Sequence, residues 1–340
     1  MNGFQRISAA LQGRESDTTP VMLHNFMMAA REAGLTMDQF RNDPKEMAQA
    51  FIESVERYEF DGIMIDVDTV TLAGAVGVPI NFPVDQPAQA VGARLTSLEE
   101  VLDLPPVDIA QYRPVQVWLE ATSIVAKYFD SNVFVRGNCD QSPFTLASLM
   151  RGLEPWMLDL ASEANHESVH RLLEYCTTIT NQFIRLMSET GAHMTSNGDS
   201  VAGPELISPA MFAKFALPYE KKIVETSHAL NLPYILHICG NTNRIINEML
   251  ETGADGLELD YRTDATLACN AMNDRAVFVG NIDPSGVLAL GTPRLVEEKT
   301  LELLNIFAET PRFILNAGCA IPPITPSENL RAMINTARTF

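Results

Sequence analysis

Eight short apolar runs, the amphipathic stretches between them and the polar residues that end most of the runs predict a distorted (βα)8 TIM-type barrel, an α/β fold. The runs have the length and the Val, Ile and Phe content of strands, and the stretches between them are long enough for helices. Polar run ends are the third sign, because barrels of this class gather their chemistry at the C-terminal rim of the strands. With 340 residues, 46% hydrophobic and 20% charged, the chain can bury one large core. A single catalytic domain over 1–340 is therefore expected.

In chain order the predicted strands are Val21 to Phe26, Gly62 to Asp68, Asn132 to Gly137 and Ala192 to Asn197. Pro233 to Cys239, Gly256 to Asp260, Ala276 to Asn281 and Phe313 to Cys319 complete the set. Helices are predicted between them. Asp43 can cap the helix that opens at Pro44 and runs to Tyr58, and Ser208 can cap one that opens at Pro209 and runs to Leu230. Further helices are expected over Ser162 to Thr177, Thr242 to Thr252 and Thr292 to Thr310. Around residues 70–130 the rhythm fails. Pro79, Pro83, Pro87, Pro105 and Pro106 mark this stretch as an irregular insertion.

The net charge of −19, with few Lys/Arg runs, excludes nucleic acid and anionic membrane as partners. The opening residues hold no signal-peptide core, and no run approaches ~18 apolar residues. Five Cys without a tight framework point to a reducing cytoplasm, with thiols used structurally or for metal. Glycine-rich nucleotide loops and a Gly-x-Ser-x-Gly elbow are absent from the sequence.

His237 and Cys239 end the fifth run two residues apart, so a strand would turn both to one face. Cys319 ends the eighth. Together they can hold one ion as a His/Cys/Cys set, which suits zinc and leaves a fourth position open. The competing reading is that these are buried core groups, as free Cys often is. Glu258 and Asp260 share a face of the neighbouring run and can act as fourth ligand, partner to a ligand or proton donor. Asp66 and Asp68 also share a face. His24, Asn25, Asp68, Asn197 and Asn281 are the strand-end candidates for substrate binding, and Asp199, Glu258 and Asp260 those for catalysis. His193 is a further rim candidate. His166 and His170 stand four apart on a helix-like stretch and are better read as a solvated face.

Four segments then resemble the uroporphyrinogen decarboxylase superfamily: Asp199 to Phe212, His237-Ile238-Cys239-Gly240, Gly280 to Pro284, and Asn316 to Cys319 followed by Pro322 to Leu330. The resemblance implies a distorted (βα)8 barrel and offers two chemistries. Metal-free decarboxylases of the superfamily carry an arginine-rich Gln-Ala-Gly-Arg motif near the N-terminus. Here the corresponding stretch, His24 to Arg31, has none. The zinc- and corrinoid-dependent methyltransferase branch carries a His-x-Cys…Cys signature, which His237, Cys239 and Cys319 match.

That branch implies zinc as cofactor and methyl transfer between a small molecule and a corrinoid (cobalamin) carried by a partner protein. No Asp-x-His-x-x-Gly cobalamin motif occurs in this chain. Strand ends poor in Lys and Arg, Arg136 apart, favour a methoxylated aromatic ether as methyl donor (O-demethylation). A methylcobalamin:thiol reaction of the coenzyme M type is the alternative. A homodimer is compatible with either.

Overall fold

All eight predicted runs are strands of one parallel sheet in the computed structural model, which describes residues 1–340. They are β1 (Met22–Leu23), β2 (Gly62–Ile65), β3 (Phe134–Gln141), β4 (Met194–Gly198), β5 (Tyr234–Ile238), β6 (Gly256–Leu259), β7 (Val277–Ile282) and β8 (Phe313–Ala317). Each pairs with its sequential neighbour. The ring closes through a single parallel bridge from Val21 to Leu315, where the Leu315 amide donates to the Pro20 carbonyl at 2.9 Å. So brief a first strand is the distortion of the barrel.

Alternation along the strands builds the interior in layers. Met22, Phe134, Met194, Ile235, Val277, Val279 and Ile314 form an apolar cluster with Ile7 and Ala10 of the helix Gly3–Leu11. That helix plugs the N-terminal end of the barrel. Two residues farther along the same faces stand His24, Arg136, Ser196 and His237, so polarity begins one layer above the plug. Asp61, fully buried, ties this end together. Its carboxylate accepts from the Val21 amide at 2.8 Å and pairs with Arg6 at 2.9 Å and Arg338 at 2.8 Å. A core of 90 buried residues fills the space between the strands and their surrounding helices.

The expected caps form. Asp43 accepts from the amides of Lys45 and Glu46, and Ser208 from that of Met211. Three helical expectations need correction. The helix expected from Pro209 to Leu230 is two, Pro209–Phe215 and Leu217–Ala229, because Pro218 cannot continue the first ladder. The helix expected from Thr242 contracts to Ile246–Leu250. The one expected over Ser162 to Thr177 spans His166–Ser188. The insertion is also shorter than 70–130. Its irregular part holds a short helix (Thr71–Ala75), an antiparallel hairpin (Ile80–Asn81 with Gln89–Ala90) and two 3-10 turns (Leu98–Asp103, Ile109–Gln111). From Arg113 to Phe129 an ordinary helix resumes, with Pro114 in its first turn. Arg41 anchors the hairpin by donating to the carbonyls of Pro83 and Gln86. No helix is long and apolar enough to cross a membrane.

Candidate metal centre and cavity

At the C-terminal mouth a cavity of about 280 Å³ opens onto the barrel interior. β5 brings His237 and Cys239 to its wall, and the turn after β8 brings Cys319. One ligand atom from each lies within 4.8 Å of the others. His237 Nδ1 donates to the Glu258 backbone carbonyl at 2.9 Å, which leaves Nε2 facing Cys239 Sγ at 3.3 Å. That contact selects the tautomer whose free nitrogen points at the two sulfurs.

The three groups titrate together. Burial pushes His237 down, yet its hydrogen bond with Cys319 and the nearby Glu258 charge outweigh this and hold it at about 9. Hydrogen bonding by Cys319 holds the Cys239 thiol below its usual value, against burial. The same partner and burial push Cys319 up to about 12. One sulfur thus yields its proton readily while its neighbour keeps one. Two sulfurs and a neutral imidazole nitrogen converging on one point fit a tetrahedral zinc ion, whose charge would replace those protons.

Glycine lets the loops close on this point. A Cβ on Gly318 would fall 2.3 Å from the Tyr261 amide nitrogen, and one on Gly203 would fall 2.8 Å from the Cys239 carbonyl oxygen. Asp260 holds the same loops from outside, accepting from the amides of Gly240 and Arg262, both at 2.9 Å.

The rest of the cavity wall combines polar side chains with the apolar Phe26, Met27, Met64, Pro87 and Ala320. Its cations are already paired. Arg136 contacts the Glu258 carboxylate, with both side chains 1% exposed. Burial raises Glu258, but Arg136, His237 and His24 outweigh it and hold the carboxyl below its usual range. His24 Nε2 lies 2.7 Å from Asp66 Oδ2. Burial lowers His24, and the Asp66 hydrogen bond more than restores it. Asp68 accepts from the Val70 amide and the Thr71 hydroxyl; burial nonetheless pushes it up to about 6.

Of the candidates named from sequence, His24, Asp66, Asp68, Asn197, His237, Cys239, Glu258 and Cys319 all line this one cavity. The others lie outside it. Asn25 is fully buried and donates to Ser54 Oγ. Asn281 donates to the carbonyls of Asp260 and Thr263 and lines a different surface cleft. Asp199 is buried behind the wall, accepting from the Thr145 amide at 2.8 Å and hydroxyl at 2.6 Å, with Glu220 beside it. His193 sits at the opposite end of the barrel, against Phe4 and Phe134, because it precedes its strand. Sequence reasoning passed over Gln141 and Ser200, which also line the cavity and hydrogen-bond each other; the polar strand-end residue Asn138 lines it too. Asn138 and Gln141 stand where β3 runs past its expected end.

The sequence matches the family model described as uroporphyrinogen decarboxylase (URO-D) over residues 2–340. The methylcobamide:CoM methyltransferase MtbA of Methanosarcina acetivorans is 27% identical over 340 residues, covering 99% of this chain and 97% of the relative. A uroporphyrinogen decarboxylase of Coxiella burnetii is 24% identical over 357 residues, covering 98% and 94%. Among solved structures, a methyltransferase from Methanosarcina mazei superposes with a TM-score of 0.91 at 25% identity, covering 100% of this chain and 99% of its own.

Proposed function

The chain belongs to the uroporphyrinogen decarboxylase family, and from that membership we propose that it is a zinc-dependent methyltransferase moving a methyl group between a corrinoid on a separate carrier protein and a small thiol. The observation that carries this reading is the His237, Cys239, Cys319 cluster on the wall of the mouth cavity. Methyltransferase relatives that match nearly end to end support it, and one of them is named for methylcobamide and CoM. Decarboxylase chemistry on a polyanionic tetrapyrrole is less well served, because the cavity's cations are spent on internal carboxylates.

Zinc held by His237, Cys239 and Cys319 would supply a Lewis acid that lowers the pKa of a bound thiol and keeps it nucleophilic near neutral pH. The protein's own groups do the rest. Glu258 fixes the His237 ring through its carbonyl. Phe26, Met27 and Met64 give the cavity wall apolar surface. The His24–Asp66 ion pair lines the cavity wall as a fixed polar contact for the small substrate. A cavity of about 280 Å³ takes a small molecule and not a corrin macrocycle, so the corrinoid would present its methyl group at the mouth.

A second reading keeps the same centre and takes the methyl group from a methoxylated aromatic. The absence of an unpaired cation in the cavity wall favours it, since an uncharged ether needs none. Purified zinc-loaded protein, methylcobalamin and 2-mercaptoethanol test the first reading, with the spectral loss of methyl-Co(III) as the signal. Loss of the signal after zinc removal and recovery on its return are the expected results. Demethylation of the corrinoid independent of thiol, or methylation of Co(I) by a methoxylated aromatic alone, would replace the first reading with another.

A further inference from the structure

Glu258 occupies an unusual position for a carboxylate beside a metal-binding cluster. In the sheet its Cα is the direct partner of His237, and both side chains line the cavity. Its carboxylate nevertheless stands apart from the cluster formed by His237, Cys239 and Cys319. The reason is visible across the barrel. Arg136, on β3, reaches over and contacts Glu258 Oε2 through Nη1, while its own Nε donates to Ser196 Oγ at 2.8 Å. His24 Nδ1 lies 3.9 Å from the other carboxylate oxygen. Glu258 is thus drawn toward the centre of the barrel by two cationic groups.

A carboxylate is itself a good zinc ligand, and a buried one deprived of its counter-charge must either take a proton or find another cation, which the metal beside it supplies. The strand beside His237 would then supply the competitor for the fourth coordination position. We infer that Arg136 is a positioning residue that keeps Glu258 off the metal and so reserves the fourth position for substrate. The inference rests on the metal-dependent reading of this site and concerns which group takes its open position.

The test uses the full chain loaded with cobalt(II) in place of zinc and 2-mercaptoethanol as the probe thiol. Binding is read from the added sulfur-to-cobalt charge-transfer absorption, with no corrinoid present. In Arg136→Gln the thiol half-saturation concentration should rise about 10-fold or more, because Glu258 now competes. In the double variant Arg136→Gln/Glu258→Gln it should return to within about 3-fold of the parent protein, as the competitor is gone. Should Arg136→Gln not fold, Arg136→Lys replaces it. Its shorter, single-point cation should still give a rise of about 3-fold.

Unchanged thiol binding in the Arg136 variant, or a double variant as weak as the single one, overturns the inference while the parent protein's own response leaves the metal reading standing. A parent protein that takes up no cobalt, or shows no thiol-dependent band, removes the metal reading and the inference with it.

Discussion

His237 Nδ1 donates to the backbone carbonyl of Glu258 at 2.9 Å, across the hydrogen-bonded register of β5 and β6. A main-chain acceptor is set by the sheet and cannot rotate away, so the orientation of this imidazole is inherited from strand pairing. Side-chain variants at 258 should therefore leave the His237 tautomer intact.

Removal of either sulfur is the most direct test of the centre. Cys239→Ala and Cys319→Ala should each lower bound zinc to less than about a tenth of an ion per chain, with the barrel still folded. Elemental analysis and circular dichroism together check this. Full zinc in both variants would dismiss the cluster as a metal site.

The loop geometry gives a second prediction. Gly318→Ala places a methyl group against the Tyr261 amide, where the ideal Cβ lies 2.3 Å from nitrogen. We expect about 1–3 kcal/mol of destabilisation and about a 10-fold loss of zinc affinity, because Cys319 must move with its neighbour. Thermal unfolding and chelator competition measure the two effects separately.

Stability should depend on pH through a carboxyl pair behind the cavity wall. Burial raises Asp199 to about 6 and drives Glu220 well above its usual value. A raised folded-state pKa stabilises the native state below the unfolded value and loses that contribution as pH climbs through the folded one. The pair's contribution should thus fall from about pH 4 upward through about pH 6. Glu220→Gln, which keeps a neutral donor beside Asp199, should gain melting temperature relative to the parent at about pH 7.5 and little at about pH 5. Equal shifts at both values would refute the coupling.

Closure of the barrel predicts a large effect far from the cavity. Asp61→Ala leaves the Val21 amide, Arg6 and Arg338 without their common acceptor. A loss of about 3 kcal/mol is expected in denaturant unfolding. Arg6→Ala, whose side chain is 19% exposed, should lose less.

The period-two rule carried most of what was legible in the sequence. Ile235, His237 and Cys239 run from plug to cavity to the His/Cys/Cys cluster on one face. Asn25 follows the cavity residue His24 by one, so the same rule already turned it outward to Ser54. Asp199 and Asp260 lie one residue beyond their strands' ends, where alternation lapses and the path of the loop decides. Both hold backbone amides there. The contact between Arg136 and Glu258 was hidden for another reason. It joins β3 to β6 through the barrel interior, and no local pattern encodes a partner three strands away.

The helix Gly3–Leu11 stoppers the far end of the barrel with Ile7 and Ala10. Whatever reaches the His/Cys/Cys cluster must come and go through one doorway. If a carrier protein has to cover that doorway to deliver or collect a methyl group, the small substrate must already be inside when it arrives. The methylated product must then wait until the carrier leaves. A blind-ended barrel therefore imposes a queue, and steady-state kinetics should show a compulsory order with the small molecule first on and last off.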